Sequence, residues 1–362
     1  MFKSADPAIN RIAEKVYAGE RLSFEDGVAL DRTADMLALG RMANTVRERL
    51  NGSSAYYINN RHINHTNLCV NSCKFCAFSR KEGDEDGYTM SVERVLEEAH
   101  KYDGQSFSEF HIVGGLHPTM PYSYYLEMAR RLHDDFPAAH IQAFTAVEIA
   151  YFAKISGKSV ENVLAEFRDA GLGSLPGGGA EIFAGRVRKK ICPEKITGEE
   201  WLNVHKAAHR AGLRSNATML YGHIEKTEDR VDHLMRLRSA QEETGGFLTF
   251  IPLAFHPKNT DYEKLPRTTG QMDLRMIALA RLMLDNFPHI KAFWIMIGEK
   301  IAQLSLSFGA DDVDGTVVEE KITHSAGAET AQRMAKRGLE ALIVEAGRVP
   351  VERDTVYNLV TT

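Results

Sequence analysis

Three cysteines, Cys69, Cys73 and Cys76, stand at the spacing Cys-x3-Cys-x2-Cys in a run that also holds His65, Phe75 and Phe78. Three thiolates so spaced can hold three irons of a 4Fe-4S cluster, and the missing fourth ligand leaves one iron open to another molecule. An open iron points to chemistry rather than electron storage. A zinc site usually asks for four ligands, often in two Cys-x2-Cys halves, and the one further cysteine, Cys192, has no cysteine or histidine beside it. With four cysteines in 362 residues and a polar, mixed start from Met1 to Lys15, the chain is expected in a reducing cytoplasm, with Cys192 a buried structural thiol.

Other residues of interest fall into short runs. Gly114 and Gly115 follow the apolar run Phe110-His111-Ile112-Val113, where a tight turn would bring backbone close to a ligand. Pro176 is followed by Gly177, Gly178, Gly179, Ala180 and Glu181; three glycines remove every β-carbon from the loop, and Glu181 supplies an acceptor for ribose hydroxyls or an amino group. Asn216, Thr218, Tyr221 and His223 share one run, and alternation on a strand would turn Asn216 and Thr218 into the protein with Ala217 and Met219 facing outward. His223 and His256 are candidates for a hydrogen-bond donor or general base, or are simply packed histidines. Arg61 and His62, just before the cysteines, suit a carboxylate. Late in the chain Asp311, Asp312, Asp314, Glu319 and Glu320 gather without the spacing of an EF-hand; Asp312 and Asp314 are read as rim acids or loop caps.

The elements that must position these groups alternate. The first fifty residues read as helices, with Ser23 and Asp26 as a capping pair. Strand-like runs follow at 55–63, 107–113, 140–144, 213–220, 247–253 and 290–297, with amphipathic helical patterns between them and shorter strands expected at 172–175 and 303–306. Eight strands in alternation with helices favour an α/β fold closed as a (βα)8 TIM-type barrel over an open sheet. The notable residues then fall where strands run into their following loops, the face on which such barrels carry their active sites. The expected organisation is an N-terminal helical extension over 1–52, a barrel over 53–320 with the cluster loop at 69–76, and a C-terminal helix and tail over 321–362.

Composition excludes several classes. A net charge of -5 and a pI near 6.3 carry no nucleic-acid footprint. No apolar run reaches the length of about 18 residues expected of a membrane span. A hydrophobic content of 44% supplies a sizeable core, and the chain reads as a metabolic enzyme.

The cysteine spacing, with Phe75 before the last cysteine, resembles the radical S-adenosylmethionine superfamily. More narrowly, the runs from Arg61 to Asn67, Ser174 to Glu181, His209 to Glu225, Ile251 to Pro257, Asp314 to Glu320 and Val351 to Thr355 resemble the aminofutalosine synthase family of menaquinone biosynthesis. Phe255-His256-Pro257 and the run Asp311 to Thr316 favour this family over dehypoxanthine futalosine cyclase and the radical half of FO synthase.

The resemblance implies a transferase that adds the 5'-deoxyadenosyl radical to 3-[(1-carboxyvinyl)oxy]benzoate, forming aminofutalosine (6-amino-6-deoxyfutalosine) with release of methionine and bicarbonate. It implies a 4Fe-4S cluster on Cys69, Cys73 and Cys76. S-adenosylmethionine, consumed in the reaction, would contact Phe75, Gly114, Gly115 and Glu181. Arg61, His62 and Asn216 would bind the aromatic dicarboxylate, and Tyr221, His223 and His256 would handle protons. Its partners would be an electron donor such as flavodoxin or ferredoxin and, as a candidate assembly, a second copy of the chain. An iron-sulfur electron-transfer protein and a zinc-stabilised binding module are the readings from other classes.

Overall fold

A computed structural model of the protein describes residues 4–101, 107–318 and 320–360, so Glu319 of the acidic run lies outside the described residues. The strands are β1 (Ser54–Ile58), β2 (Asn60–Ile63), β3 (Glu109–Ile112), β4 (His140–Ala143), β5 (Leu172–Leu175), β6 (Arg214–Tyr221), β7 (Phe247–Ala254), β8 (His289–Ile290), β9 (Asp312–Gly315) and β10 (Val349–Arg353). Strands β2 to β8 form a seven-stranded parallel sheet in chain order, and β1 lies between β10 and β9 in a second parallel sheet. Single parallel bridges join Lys291 to Asp312 and Arg61 to Val318. They knit the two sheets into a ring, with β1 and β2 acting as one interrupted first strand and β9 as the eighth: a (βα)8 barrel.

Parallel strands need crossovers, and amphipathic helices supply them. The helix Val92–His100 buries Val92, Val95, Leu96 and Ala99 on one face, and Val160–Asp169 buries Val163, Leu164 and Phe167. Both follow a serine N-cap, Ser91 and Ser159, whose side chain accepts a backbone N–H of the first turn. Three helices, Pro7–Ala18, Phe24–Arg32 and Met36–Asn51, precede the barrel, and Ser23 with Asp26 closes the expected capping box. The last of them buries Arg47, which donates to the carbonyls of Gly52, Ser54 and Ala310 at the strand starts.

Two strand assignments fail. Residues 290–297 leave the sheet after Ile290 and turn into the short helix Trp294–Ile297, and 303–306 belongs to or directly follows the helix Glu299–Ser305. The eighth strand is instead the acidic segment Asp312–Gly315. Aspartates are poor strand formers, but here each is matched to a buried cation from elsewhere. Asp311 meets Arg281 and His289, Asp312 accepts from Arg353 at 2.6 Å and Tyr357 at 2.8 Å, and Asp314 meets Lys291 at 2.7 Å. This segment is a strand and not a calcium loop, and of the two acids read as rim residues Asp314 borders the barrel cavity while Asp312 is turned to Arg353 and Tyr357.

Candidate active site

A cavity of about 340 Å³ opens at the C-terminal ends of the strands. Cys69, Cys73 and Cys76 all line it. Their loop is held by its own backbone and by neighbours. Cys69 N donates to Arg80 O at 3.0 Å, Cys76 N to Cys73 O at 3.0 Å and Lys74 N to Ile191 O at 2.8 Å. Lys81 Nζ caps the carbonyls of Cys69, Val70 and Asn71 at 2.9, 3.2 and 2.9 Å. The Cys69 sulfur accepts the N–H of Leu116 at 3.4 Å, and burial pushes the free Cys73 thiol up to about 12. Among the described residues no three His, Cys, Asp or Glu converge on a single ion. All three thiols share this one cavity, a donor set of the kind that holds an iron-sulfur cluster.

Gly114 and Gly115 form the wall against which this loop packs. A β-carbon on Gly115 would lie 2.2 Å from the carbonyl oxygen of Leu68, so only glycine lets the turn touch the cysteine loop there. The contact is then sealed by Gly115 N to Thr66 O at 2.9 Å and Val70 N to Leu116 O at 2.8 Å. Gly114 N donates to Glu148 Oε1 at 3.2 Å. Glu148, in the capping box of the helix Ala146–Ser156, lines the cavity and is fully buried, and burial lifts its carboxyl to about 7 against the N–H groups of Thr145 and Gly114.

The glycine run after β5 borders the same cavity. Gly179 has a φ of 85°, and its β-carbon would meet Val147 at 2.4 Å. Glu181, also left-handed at φ 48°, is a non-glycine residue held in a strained conformation at the site. Its Oε1 lies 2.6 Å from Lys195 Nζ, and that ammonium sits 5.1 Å from the centroid of the Phe75 ring.

A polar belt crosses the barrel interior. His62, His111 and Gln142 are in register on β2, β3 and β4. The two histidine rings stack at 4.6 Å, His111 Nδ1 lies 3.1 Å from Gln142 Oε1, and Asn216 Nδ2 donates to the same oxygen at 3.3 Å. Burial, helped by neighbouring His111 and Lys291, holds His62 well below the usual histidine range and so neutral. Lys291, Asp314, Asn60 and Glu109 complete the belt, with Ile251, Leu253, Phe255, Phe293 and Met296 as apolar wall.

Not every expected site residue reaches the cavity. Phe75, Gly114, Gly115, Glu181, His62, Asn216 and His256 line it. Arg61 does not: on a strand adjacent residues face opposite ways, and with His62 inward Arg61 turns out to meet Ala99 O at 3.3 Å and the Phe107 ring at 4.0 Å. Tyr221 shares the outward parity of Ala217 and Met219 and donates to Asp273 at 2.7 Å, fully buried. His223 folds back on its own turn, with Nε2 3.1 Å from Leu220 O and Nδ1 3.2 Å from Glu225. These three are corrections: they support the walls and do not face the cavity. His256 pairs Nε2 with Met296 O at 2.8 Å, which makes Nε2 the donor and leaves buried Nδ1 as an acceptor with no partner among the described residues.

Sequence reasoning missed Glu148, Lys195 and Lys291. Lys291 had a signal, a lysine inside the apolar run 290–297, and Glu148 had one in the Thr145-x-x-Glu148 box after a strand. Lys195 had none.

Comparison with known proteins places this geometry. Residues 63–237 match the Radical SAM superfamily and residues 244–362 match the CofH/MqnC C-terminal region. The chain is 48% identical to an aminodeoxyfutalosine synthase of Thermus thermophilus over 97% of its own length and 96% of that protein. It is 45% identical to the enzyme of the same name from Streptomyces coelicolor, over 96% and 93%. A 5-amino-6-(D-ribitylamino)uracil--L-tyrosine 4-hydroxyphenyl transferase of Methanoculleus marisnigri is 41% identical over 99% of both chains. Among solved structures, methylornithine synthase superposes with a TM-score of 0.72 at 18% identity, covering 94% of this chain and 97% of that one, a likeness of fold.

Proposed function

We propose the reaction of this chain from one premise: it belongs to the radical S-adenosylmethionine superfamily, in the branch with a CofH/MqnC-type C-terminal region. Membership implies S-adenosylmethionine and an iron-sulfur cluster. The reaction is that of the aminodeoxyfutalosine synthases: the adenosyl group is joined to 3-[(1-carboxyvinyl)oxy]benzoate, giving aminodeoxyfutalosine, methionine and bicarbonate. The observation that carries this reading is the confluence of the three cysteines, the glycine turn, Glu181 and a polar belt that includes Lys291 on one cavity.

Cys69, Cys73 and Cys76 would hold a 4Fe-4S cluster, which would supply the electron that frees the adenosyl radical from S-adenosylmethionine, the electron itself coming from a one-electron donor of flavodoxin or ferredoxin type. The protein's own work is positioning. Gly114 and Gly115 offer backbone to the methionyl end, with Glu148 fixing Gly114 by its N–H. Glu181, clamped by Lys195, presents a carboxylate to the hydroxyl or amino groups of the nucleoside, and Phe75 packs beside them. His62 and Asn216 face the aromatic substrate, and His256 holds an acceptor at Nδ1 where a proton must move. Ile251, Leu253 and Phe293 exclude water from the radical's path.

A hydroxyphenyl transferase at 41% identity, whose name gives L-tyrosine as its substrate, is the reading to test against this one, and the higher identity to the synthases stands on the other side. Anaerobic incubation of the reduced protein with S-adenosylmethionine and each candidate in turn, followed by mass spectrometry, tests both. The proposal expects a product from 3-[(1-carboxyvinyl)oxy]benzoate and none from L-tyrosine with 5-amino-6-(D-ribitylamino)uracil; the opposite pattern overturns it.

A further inference from the structure

Lys291 lies just after β8 and is buried, 7% exposed, with its ammonium in the cavity. An ammonium has three donors; among the described residues Lys291 makes one side-chain hydrogen bond, to Asp314 Oδ1 at 2.7 Å. Lys195 and Lys291 are the two lysines among the described lining residues, and no arginine lines the cavity with them. Lys195 is bound to Glu181 beside the cysteines. Each lysine has donors left over, and what separates them is place: Lys195 stands with the cysteine loop and Phe75, and Lys291 stands with His62 on the polar belt, where the second substrate would lie. Its surroundings suit an aromatic acid: Ile251, Phe293 and Met296 give a flat apolar wall, and the neutral His62 ring stands beside the ammonium.

Asp314 is the ion-pair partner of this buried lysine. Its backbone is left-handed, φ 69°, a conformation few aspartates adopt, and it turns the carboxylate onto Lys291. Asp312, whose Oδ1 accepts the Asp314 N–H at 2.6 Å, fixes that turn.

We propose that Lys291 is the anchor for the ring carboxylate of the benzoate substrate, with Asp314 as the carboxylate that pairs with it in the free protein. This rests on the reaction proposed above. The ring carboxylate is assigned rather than the enolpyruvyl one because the latter departs, and an ion pair on a departing carboxylate opposes its loss. The ring carboxylate passes through the reaction unchanged and can be held tightly throughout.

Calorimetry on the cluster-loaded, unreduced protein with S-adenosylmethionine tests the assignment without turnover. The probes are 3-[(1-carboxyvinyl)oxy]benzoate and its methyl ester at the ring carboxylate. Lys291→Met strands a buried aspartate, so the double variant Lys291→Met, Asp314→Asn accompanies it; asparagine accepts the left-handed backbone and leaves no lone charge. Both variants are expected to weaken the diacid by about 30-fold or more, to leave the weak binding of the ester unchanged and to bind S-adenosylmethionine like the wild type. A folded double variant that binds the diacid as tightly as the wild type overturns the role of Lys291 alone. A wild-type protein that binds S-adenosylmethionine but not the diacid overturns the proposed reaction, and this subsite with it.

Discussion

Lys195 holds Glu181: its Nζ lies 2.6 Å from Oε1, with Glu181 buried and Lys195 half-buried. Burial alone would lower the lysine's pKa, but Glu181, Cys73 and Cys192 outweigh it and raise it. The lysine therefore keeps its charge at the point where three thiolates and a cationic nucleoside would meet. It also restrains a glutamate whose φ of 48° is costly to maintain.

Replacing Lys195 by methionine leaves that glutamate buried, unpaired and free to rotate. The affinity for S-adenosylmethionine, read by equilibrium binding to the cluster-loaded protein, is expected to fall by about 10- to 100-fold, with a smaller loss for Lys195→Arg. Equal affinity in Lys195→Met would remove Lys195 from the binding machinery.

Gly115→Ala tests the packing of the glycine turn on the cysteine loop. The new methyl group would meet the Leu68 carbonyl, and one of the two segments must move, at a cost of about 1–3 kcal/mol. Fewer irons per chain after anaerobic reconstitution and a lower melting temperature are expected. Gly185→Ala, where a β-carbon meets nothing within 4 Å, is the control and should retain both.

Tyr221→Phe separates a wall residue from a catalytic one. Its hydroxyl donates to Asp273, outside the cavity, so the loss should appear in stability, about 1–3 kcal/mol by chemical denaturation, with turnover of the folded enzyme retained. Abolished turnover at full stability would return Tyr221 to the active site.

Much of this architecture is legible in the sequence because alternation carries it. On β6, Asn216 and Thr218 face the cavity as their parity requires, and the same parity already sends Tyr221 outward. The same alternation puts His62 in the large cavity and leaves Arg61 out of it. The eighth strand is hidden for a different reason. Asp311, Asp312 and Asp314 read as a loop because their neutralising partners, Arg281, Arg353 and Lys291, lie 20 to 40 residues away in sequence, roughly, and only the folded chain pairs them. The apolar run 290–297 is short enough to suit a buried strand or a buried helix, and periodicity does not decide between them.

His324 sets a pH limit on the segment that borders the cavity. Its hydrogen bond to Glu320, which lines the cavity, raises the imidazole to about 9, and Nε2 meets Thr330 O at 2.9 Å. A histidine raised in the folded state gives stability that is fully present below its unfolded value of about 6.5 and is lost as the pH rises through 9. Wild type is expected to exceed His324→Ala by about 1 kcal/mol at pH 6, after allowance for solvent screening, with the gap closing by pH 10. Urea denaturation of the two proteins at both pH values checks the sign; a gap that widens with pH contradicts it.

The central claim is that the adenosyl group ends in the product. The most direct measurement is a single anaerobic turnover with S-adenosylmethionine carrying carbon-13 at the 5' position and unlabelled 3-[(1-carboxyvinyl)oxy]benzoate, with methionine quantified alongside. Label retained in an adduct of adenosine and the benzoate skeleton, formed in equal amount with methionine, is the expected result. Label found instead in free 5'-deoxyadenosine, with the benzoate substrate returned unaltered, would contradict it.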